Sequence, residues 1–553
     1  MTHLKRVLSS HAAQYDYLLA IVGAFLMAFC SYTSPAYYFD VSPDNNAFFT
    51  VGKAMMHGIV PYKDIFEQKG PYVYFWHGLA YLVSNRSFLL IFVGEILTLA
   101  AAMILVHHLA LRLRMTPLTA FLTALLSPVL FLYHPYFDYG DTVEFFTIPL
   151  LLSLVYLIVL LDRKGARVSP VWFALQGAFV GLVFLSKYTL LGGWIAFYLI
   201  LGGYLLAHRQ WRHLGRLVLW SGGGFLLTTV PWLVYFLAHG ALGDFINVYI
   251  LFNTHVYLTS SVSVFSNLIQ SVVLLAQFYM GDVLFFILGI LGTFVLIFQT
   301  DLLQQPFTKA LYLLVFVTTD LLALYGYQTD TVYQYYQLIY FAFFVLPLIY
   351  FAKLFFDRVQ LPRLEDPFSI VAVMILSLFL VLGVNGNVTK SRLFPNNSSI
   401  TERQTKVPQQ PAQVEFGRLM RARTPQHHRL TLLNYGSIDM GFYTAAGAVP
   451  SLYYFQNYNI PQAAAPQILR EQVSAIKHQR VGWVVLNTPH GRSVRNWRGY
   501  VGNDGRITAG NLNPGTATLA GPLYRHYRLV AKHSQIFEST NVTYWLFQRK
   551  VDQ

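Results

Sequence analysis

The chain has 553 residues, of which 55% are hydrophobic and only 12% charged. That apolar fraction exceeds the roughly 45–50% of soluble domains, and the charge is about half the usual, so an ordinary soluble protein is excluded and a polytopic membrane protein with room for a separate domain is predicted. The formal net charge is +14, but residues from Asn387 to the end hold 20 Lys and Arg against 7 Asp and Glu, so the basic surplus belongs to the C-terminal part.

Spans need about 20 apolar residues. Eleven candidate runs occur, at 15–35, 86–106, 118–133, 143–161, 170–187, 188–207, 217–238, 282–299, 310–327, 336–356 and 368–386. Lys5 and Arg6 precede the first, as in a signal peptide, but its spanning length and the lack of a convincing cleavage pattern mark it as a transmembrane helix. Cys30 within it is the only cysteine, so no intramolecular disulfide forms. One side of the membrane receives Lys5, Arg6, Arg112, Arg114, Arg163, Lys164, Arg167, Arg209, Arg212, Arg216, Lys309, Arg358 and Arg363, which the positive-inside rule makes cytoplasmic. The N-terminus is then cytoplasmic and, after eleven spans, the C-terminal domain is extracytoplasmic.

Between the first two runs lies a long outer loop. Asn46–His57 reads as a short helix stopped by Gly58, and Tyr72–Leu82 has aromatics at helical spacing that suit the interface. The segment Val264–Met280 reads as lying on the membrane or re-entering it. Beyond Asn387 the composition changes. Residues 396–413 read as a linker; 430–434, 481–486 and 543–547 are strand-like, and 467–479 reads as a helix. The predicted fold class is mainly α: a polytopic membrane bundle of about eleven helices over residues 1–386, followed by an extracytoplasmic α/β domain over 387–553.

The chemistry-bearing residues collect on the outer side. The loop at 37–78 holds Asp40, Asp44, Lys53, Lys63, Asp64, Glu67 and Lys69 among aromatics, glycines and prolines. Carboxylates at a membrane boundary are costly without partners or work. Asp44 is placed to act as general base on an acceptor hydroxyl; Ser42 or Asp44 can equally serve as a helix N-cap, and Asp40 competes for the base role. At 58–71, Tyr62, Phe66 and Glu67 set aromatics beside polar groups, which suits a carbohydrate face, or form a solvated turn. Asp138, Asp141 and Glu144 follow at spacings of three, so on a helix they would share one face. That leaves room for a divalent cation, although no His or Cys spacing supports one. Lys187 closes the fifth run, either snorkelling to the surface or holding a phosphate. Tyr335 and Tyr336, in the tyrosine-rich segment 329–337, form an interfacial belt or bracket a ligand.

In this order and on this side, Asp44, the Gly58–Tyr62 turn with Lys69-Gly70-Pro71, Asp141 with Glu144, Lys187, and Tyr335 with Tyr336 resemble the integral-membrane glycosyltransferases of the GT-C type. The nearest branch contains protein O-mannosyltransferases and the lipid A aminoarabinose transferase. The resemblance implies a sugar donor on a polyprenyl phosphate, an extracytoplasmic acceptor, and inversion in one displacement. It implies Asp44 as base, with Asp40 as the alternative, and Lys187 and Lys69 on the donor phosphate. Tyr62, Glu67, Asp141, Glu144, Tyr335 and Tyr336 would contact substrate. Asn45 stands where some relatives carry Glu. No essential metal is expected, and no nucleic-acid partner. The basic C-terminal domain suits an anionic envelope acceptor such as a teichoic acid or polysaccharide, with lipid or protein acceptors also open. Two other classes stand beside this reading: a transporter or flippase of a lipid-linked sugar, and an assembly scaffold.

Overall fold

The structure, a computed structural model, describes residues 11–134, 136–257, 263–327, 332–358, 367–435, 438, 441–458, 460, 465–499, 515–537 and 540–550. Lys5, Arg6, Arg363 and the 329–331 part of the tyrosine-rich segment lie outside the described residues. Among the described residues the fold is mainly helical with one small sheet. The chain divides into two compact units, one formed by 1–31, 92–234 and 260–386, the other by 32–91, 235–259 and 387–553.

Among the described residues, eight helices are long and apolar enough to cross a membrane. They are Ala12–Cys30, Leu89–Arg112, Val143–Lys164, Pro170–Ala207, Trp211–Ala238, Val264–Gly281, Pro306–Ala323 and Gln334–Arg358. Pro117–Phe131, Phe285–Phe298 and Ile370–Asn385 are shorter apolar helices. The protein is therefore a multi-pass membrane protein. Within Pro170–Ala207 a 3-10 turn at Tyr188–Leu191 separates the two predicted runs. Val264–Gly281, which the sequence left as surface-lying or re-entrant, has the length and hydropathy of a span. Several helices open on proline at their first position, including Pro43, Pro71, Pro117, Pro170 and Pro306; there the missing N–H is no loss and the fixed φ favours the turn.

The first unit packs around the helix Phe341–Arg358. Phe341, Phe343, Phe344 and Leu346 are fully buried in it, and Phe285 meets Phe341 and Phe344 edge to face. Its side chains pack with Tyr279 and Phe316 into one continuous core. Removing a buried phenylalanine from such a core costs about 3–5 kcal/mol.

The second unit is more than the C-terminal stretch. It contains a four-stranded sheet of β1 (Leu432–Tyr435), β2 (Trp483–Pro489), β3 (Tyr527–Phe537) and β4 (Thr540–Arg549) in the order β1-β2-β4-β3. β1 and β2 are parallel; the other pairs are antiparallel. The helix Gln467–Lys477 stands where it was predicted, and the expected linker ends at Pro411, just before the helix Ala412–Arg423. The outer loop folds into the same unit, with helices Pro43–Met56 and Pro71–Val83 packed on each other. The Phe66 amide donates to the Tyr453 carbonyl at 3.0 Å. The Tyr453 and Tyr458 hydroxyls donate back to the carbonyls of Tyr62 and Phe66, at 3.0 and 2.7 Å. These satisfy loop backbone groups that burial would otherwise leave unpaired.

Candidate functional site

In the second unit, the turn 40–46 is built around Asp40. Its carboxylate accepts from the Ser42 amide at 2.9 Å and the Asn45 side-chain amide at 2.8 Å. Asn46 donates to the Asp40 and Ser42 carbonyls at 2.9 and 2.8 Å. Asp40 is thus buried and engaged in shaping the turn. Ser42, not Asp44, is the N-cap of the helix Pro43–Met56, its hydroxyl accepting from the Asn45 amide at 3.4 Å. Asp44 lies in the first turn and is half-buried, where the helix dipole favours a negative charge. The helix is buried on nearly every side rather than along one stripe, and even Lys53 lies inside, its ammonium 3.4 Å from the Tyr443 carbonyl.

The next turn carries Tyr62 and Glu67. Tyr62 has a left-handed backbone, φ 70°, and is buried among Tyr74, Phe236, Phe245 and Tyr249. Its hydroxyl donates to the Lys69 carbonyl at 2.6 Å. Glu67 is also buried, accepting from the Tyr74 hydroxyl and, at 3.2 Å, from the Lys69 amide. Burial pushes the Glu67 carboxyl above its ordinary 4.5, opposed by the Lys69 ammonium and the Tyr74 hydroxyl. Both side chains therefore hold the backbone of Lys69, whose own ammonium lies 5.9 Å from the Phe48 ring.

In the first unit, four predicted residues come together. The Lys187 ammonium pairs with the Glu144 carboxylate, both side chains being nearly buried. It also sits 3.7 Å from the ring centroid of Tyr336 and 5.6 Å from that of Tyr335. Lys187 ends the helix Pro170–Lys187, and Glu144 opens the helix Val143–Lys164, which is capped by Thr142. A carboxylate and aromatic faces are partners that offset the cost of placing an ammonium at the end of an apolar helix.

Asp138, Asp141 and Glu144 do not share a helix face. Asp138 and Asp141 precede the helix with left-handed backbones, φ 53° and 52°; with Gly140 at φ 91° the chain turns here instead of coiling, and only Glu144 is helical. Asp141 is nonetheless buried, and its amide donates to Glu95 at 2.7 Å. Glu95 is fully buried and also accepts from the Ser31 hydroxyl at 2.8 Å.

Glu95 was not among the predicted residues, nor was Asp320, which accepts from Tyr279 at 2.6 Å. A lone acid inside an apolar run was the available signal, since such a residue is functional by default. Each lies near a helix end, in Leu89–Arg112 and Pro306–Ala323. Asp282 also went unnoticed; the Tyr133 hydroxyl donates to it at 3.1 Å. Among the described residues, one cluster has metal-ligand spacing: Asp16, with oxygens 2.8 Å from His107 and 3.0 Å from His108.

These elements define a GT-C fold. The chain is similar to the crystal structure of ArnT from Cupriavidus metallidurans in the apo state, with a TM-score of 0.55 and 13% identity over 97% of this chain and 98% of that one. It is similar also to ArnT from Cupriavidus metallidurans bound to undecaprenyl phosphate, with a TM-score of 0.54 and 11% identity over 96% of this chain and 97% of that one. No protein-family model matches the sequence, and no curated protein matches it.

Proposed function

We propose that this protein is a glycosyltransferase that moves a sugar from a polyprenyl-phosphate donor onto an acceptor outside the cytoplasm. The observation that carries this reading is the nearly buried Lys187 ammonium, held by Glu144 and Tyr336, in a chain with the GT-C fold. The similarity in fold to ArnT bound to undecaprenyl phosphate supports the donor class. The N-terminus is cytoplasmic and the C-terminal domain extracytoplasmic.

In the proposed reaction the acceptor oxygen attacks the anomeric carbon. Asp44 takes the hydroxyl proton as the new bond forms, which is worth about 10²–10⁴ in rate. The bond from the anomeric carbon to the phosphate oxygen breaks, and its electron pair leaves with the phosphate. Lys187 and Lys69 meet that growing charge. A single displacement inverts the anomeric centre. Half-exposure and a cap role already filled by Ser42 favour Asp44 as base; Asp40 shapes the turn that carries it. Tyr62 and Glu67 are positioning residues for Lys69. Asp141 and Glu144 orient the donor end, and Tyr335 and Tyr336 flank it.

The acceptor is proposed to be an anionic envelope glycan. The basic surplus after Asn387 supports this, as does a cleft in the second unit lined by Arg470, Lys477, His478 and Arg498. No metal is given a role, so turnover should survive a chelator. The test is transfer in vitro: purified protein with a panel of polyprenyl-phosphate sugars and envelope extract, at low and high salt. Labelled glycan product, reduced by salt and lost in Lys187→Gln, is the expected result. Movement of the lipid-linked sugar across a vesicle membrane without any product would overturn the reading in favour of a transporter.

A further inference from the structure

A cavity in the first unit plays no part in this reaction. It measures about 430 Å³ and lies among the helices Val143–Lys164, Pro170–Lys187, Gly192–Ala207, Trp211–Ala238 and Pro306–Ala323. Arg163, His213 and Arg216 supply its basic lining, and Phe173, Leu205 and Phe307 its apolar wall. Asp162 lines it too, but that carboxylate is already committed. It accepts from the amides of Gln304 and Gln305 at 2.9 and 2.8 Å and from the Thr308 hydroxyl at 2.6 Å, holding the start of the helix Pro306–Ala323. Arg163 donates to the Leu302 carbonyl at 2.9 Å, and its Nε, 3.6 Å from Asp162, is buried without a hydrogen-bond partner.

The cavity stands at the opposite end of its helices from Lys187. Asp162 follows Glu144 by 18 residues on one helix, a separation of about 27 Å at 1.5 Å per residue. A phosphate held here is therefore not the one that reacts. This end of the bundle carries Lys164, Arg167, Arg209 and Arg212 as well, and Trp211 beside it is exposed, the composition of a membrane interface on the positive side. The volume matches a headgroup rather than a whole lipid, while Val171, Leu175 and Leu206 expose apolar surface nearby for acyl chains.

We propose that this cavity binds the phosphate headgroup of an anionic phospholipid of the cytoplasmic leaflet, with Arg163 and Arg216 as the phosphate partners and His213 beside them. Basic pockets between membrane helices on this side bind such headgroups, and each basic side chain contributes about 1 kcal/mol, or about fivefold. The site is independent of the transfer reaction, so its test is independent too.

The experiment is native mass spectrometry of the full chain in neutral detergent, with phosphatidylglycerol, phosphatidylcholine, undecaprenyl phosphate or inorganic phosphate added. Phosphatidylglycerol should be retained at least tenfold better than phosphatidylcholine. Retention should fall about fivefold in Arg216→Gln and further in the double variant with His213→Gln. Lys164→Gln, which removes a neighbouring charge outside the cavity lining, should retain the lipid as wild type does. Arg216 is exposed, so its substitution leaves the fold intact. Equal retention of the two phospholipids, or wild-type retention by Arg216→Gln, overturns the site. Competition by inorganic phosphate at the same concentration overturns the lipid as ligand. Undecaprenyl phosphate bound in its place, with the same loss in Arg216→Gln, overturns the phospholipid assignment.

Discussion

The two acid-bearing loops, 37–70 in the second unit and 132–144 in the first, solve the same electrostatic problem in different ways. In the loop 132–144, charge is met by charge and by direct hydrogen bonds: Glu144 by Lys187, and the Asp141 amide by Glu95. In the loop 37–70, charge is met by backbone amides and neutral side chains: Asp40 by Ser42 and Asn45, and Glu67 by Lys69 and Tyr74. Asp40 fixes the turn, Ser42 caps the helix, and Asp44 sits half-buried in the first helical turn. An acid whose oxygens already hold the backbone is poorly placed to receive a proton. The comparison is therefore between a carboxylate held by an ammonium and one held by neutral donors.

The sharpest way to break it is to remove the counter-charge in the first unit. Glu144→Gln leaves the Lys187 ammonium buried beside aromatic rings, at an expected cost of about 3–5 kcal/mol in unfolding experiments. Added undecaprenyl phosphate should then stabilise the variant more than it stabilises wild type. An equal shift in melting temperature would contradict a phosphate role for Lys187.

Glycine tests the same contrast at lower energy. Gly140 and Gly58 both have left-handed backbones, φ 91° and 79°. A Cβ on Gly140 would come within 2.5 Å of the Ser31 hydroxyl and 2.6 Å of Glu95, whereas one on Gly58 meets nothing within 4 Å. Gly140→Ala should cost about 3 kcal/mol and Gly58→Ala about 1 kcal/mol, the second being backbone strain alone. Equal melting temperatures for the two would show that Glu95 and Ser31 are not held in place. Ser42→Ala removes a cap and should lower stability by about 1 kcal/mol, with little change in turnover beyond that.

The smallest effect is in pH dependence. Burial raises the Glu67 pKa above 4.5 in the folded state, so folding favours the protonated form. The contribution to stability is fully present below the unfolded value and is lost as pH rises through the folded one. Glu67→Gln should flatten the stability profile on the alkaline side of 4.5, measured by melting at a series of pH values. An unchanged profile would place the carboxyl in water.

Much of the bundle was legible because a membrane demands long apolar runs, and each of the eleven runs contains a helix. Val264–Gly281 was harder: Asn267, Gln270 and Gln277 interrupt its apolar pattern. β3 was missed because its burial is patchy and its sequence carries Arg528, Lys532 and His533; antiparallel pairing with β4 makes it a strand. The candidate residues were legible as types and not as environments. Tyr62 reads as an open aromatic and is a buried post; Asp138, Asp141 and Glu144 read as a helix face and form a left-handed turn with one helical residue. Glu95 escaped notice because its partners, Ser31 and the Asp141 amide, are distant in sequence.

The most direct test of the central claim compares Asp44→Asn with Asp40→Asn, each measured for both sugar transfer and melting temperature. Asp44→Asn should lose about 10²–10⁴ in turnover and melt close to wild type. Asp40→Asn should melt lower and keep turnover in the fraction that remains folded. The reverse pattern, a normally melting, inactive Asp40→Asn beside an active Asp44→Asn, would move the base to Asp40 and contradict the division of roles in this loop.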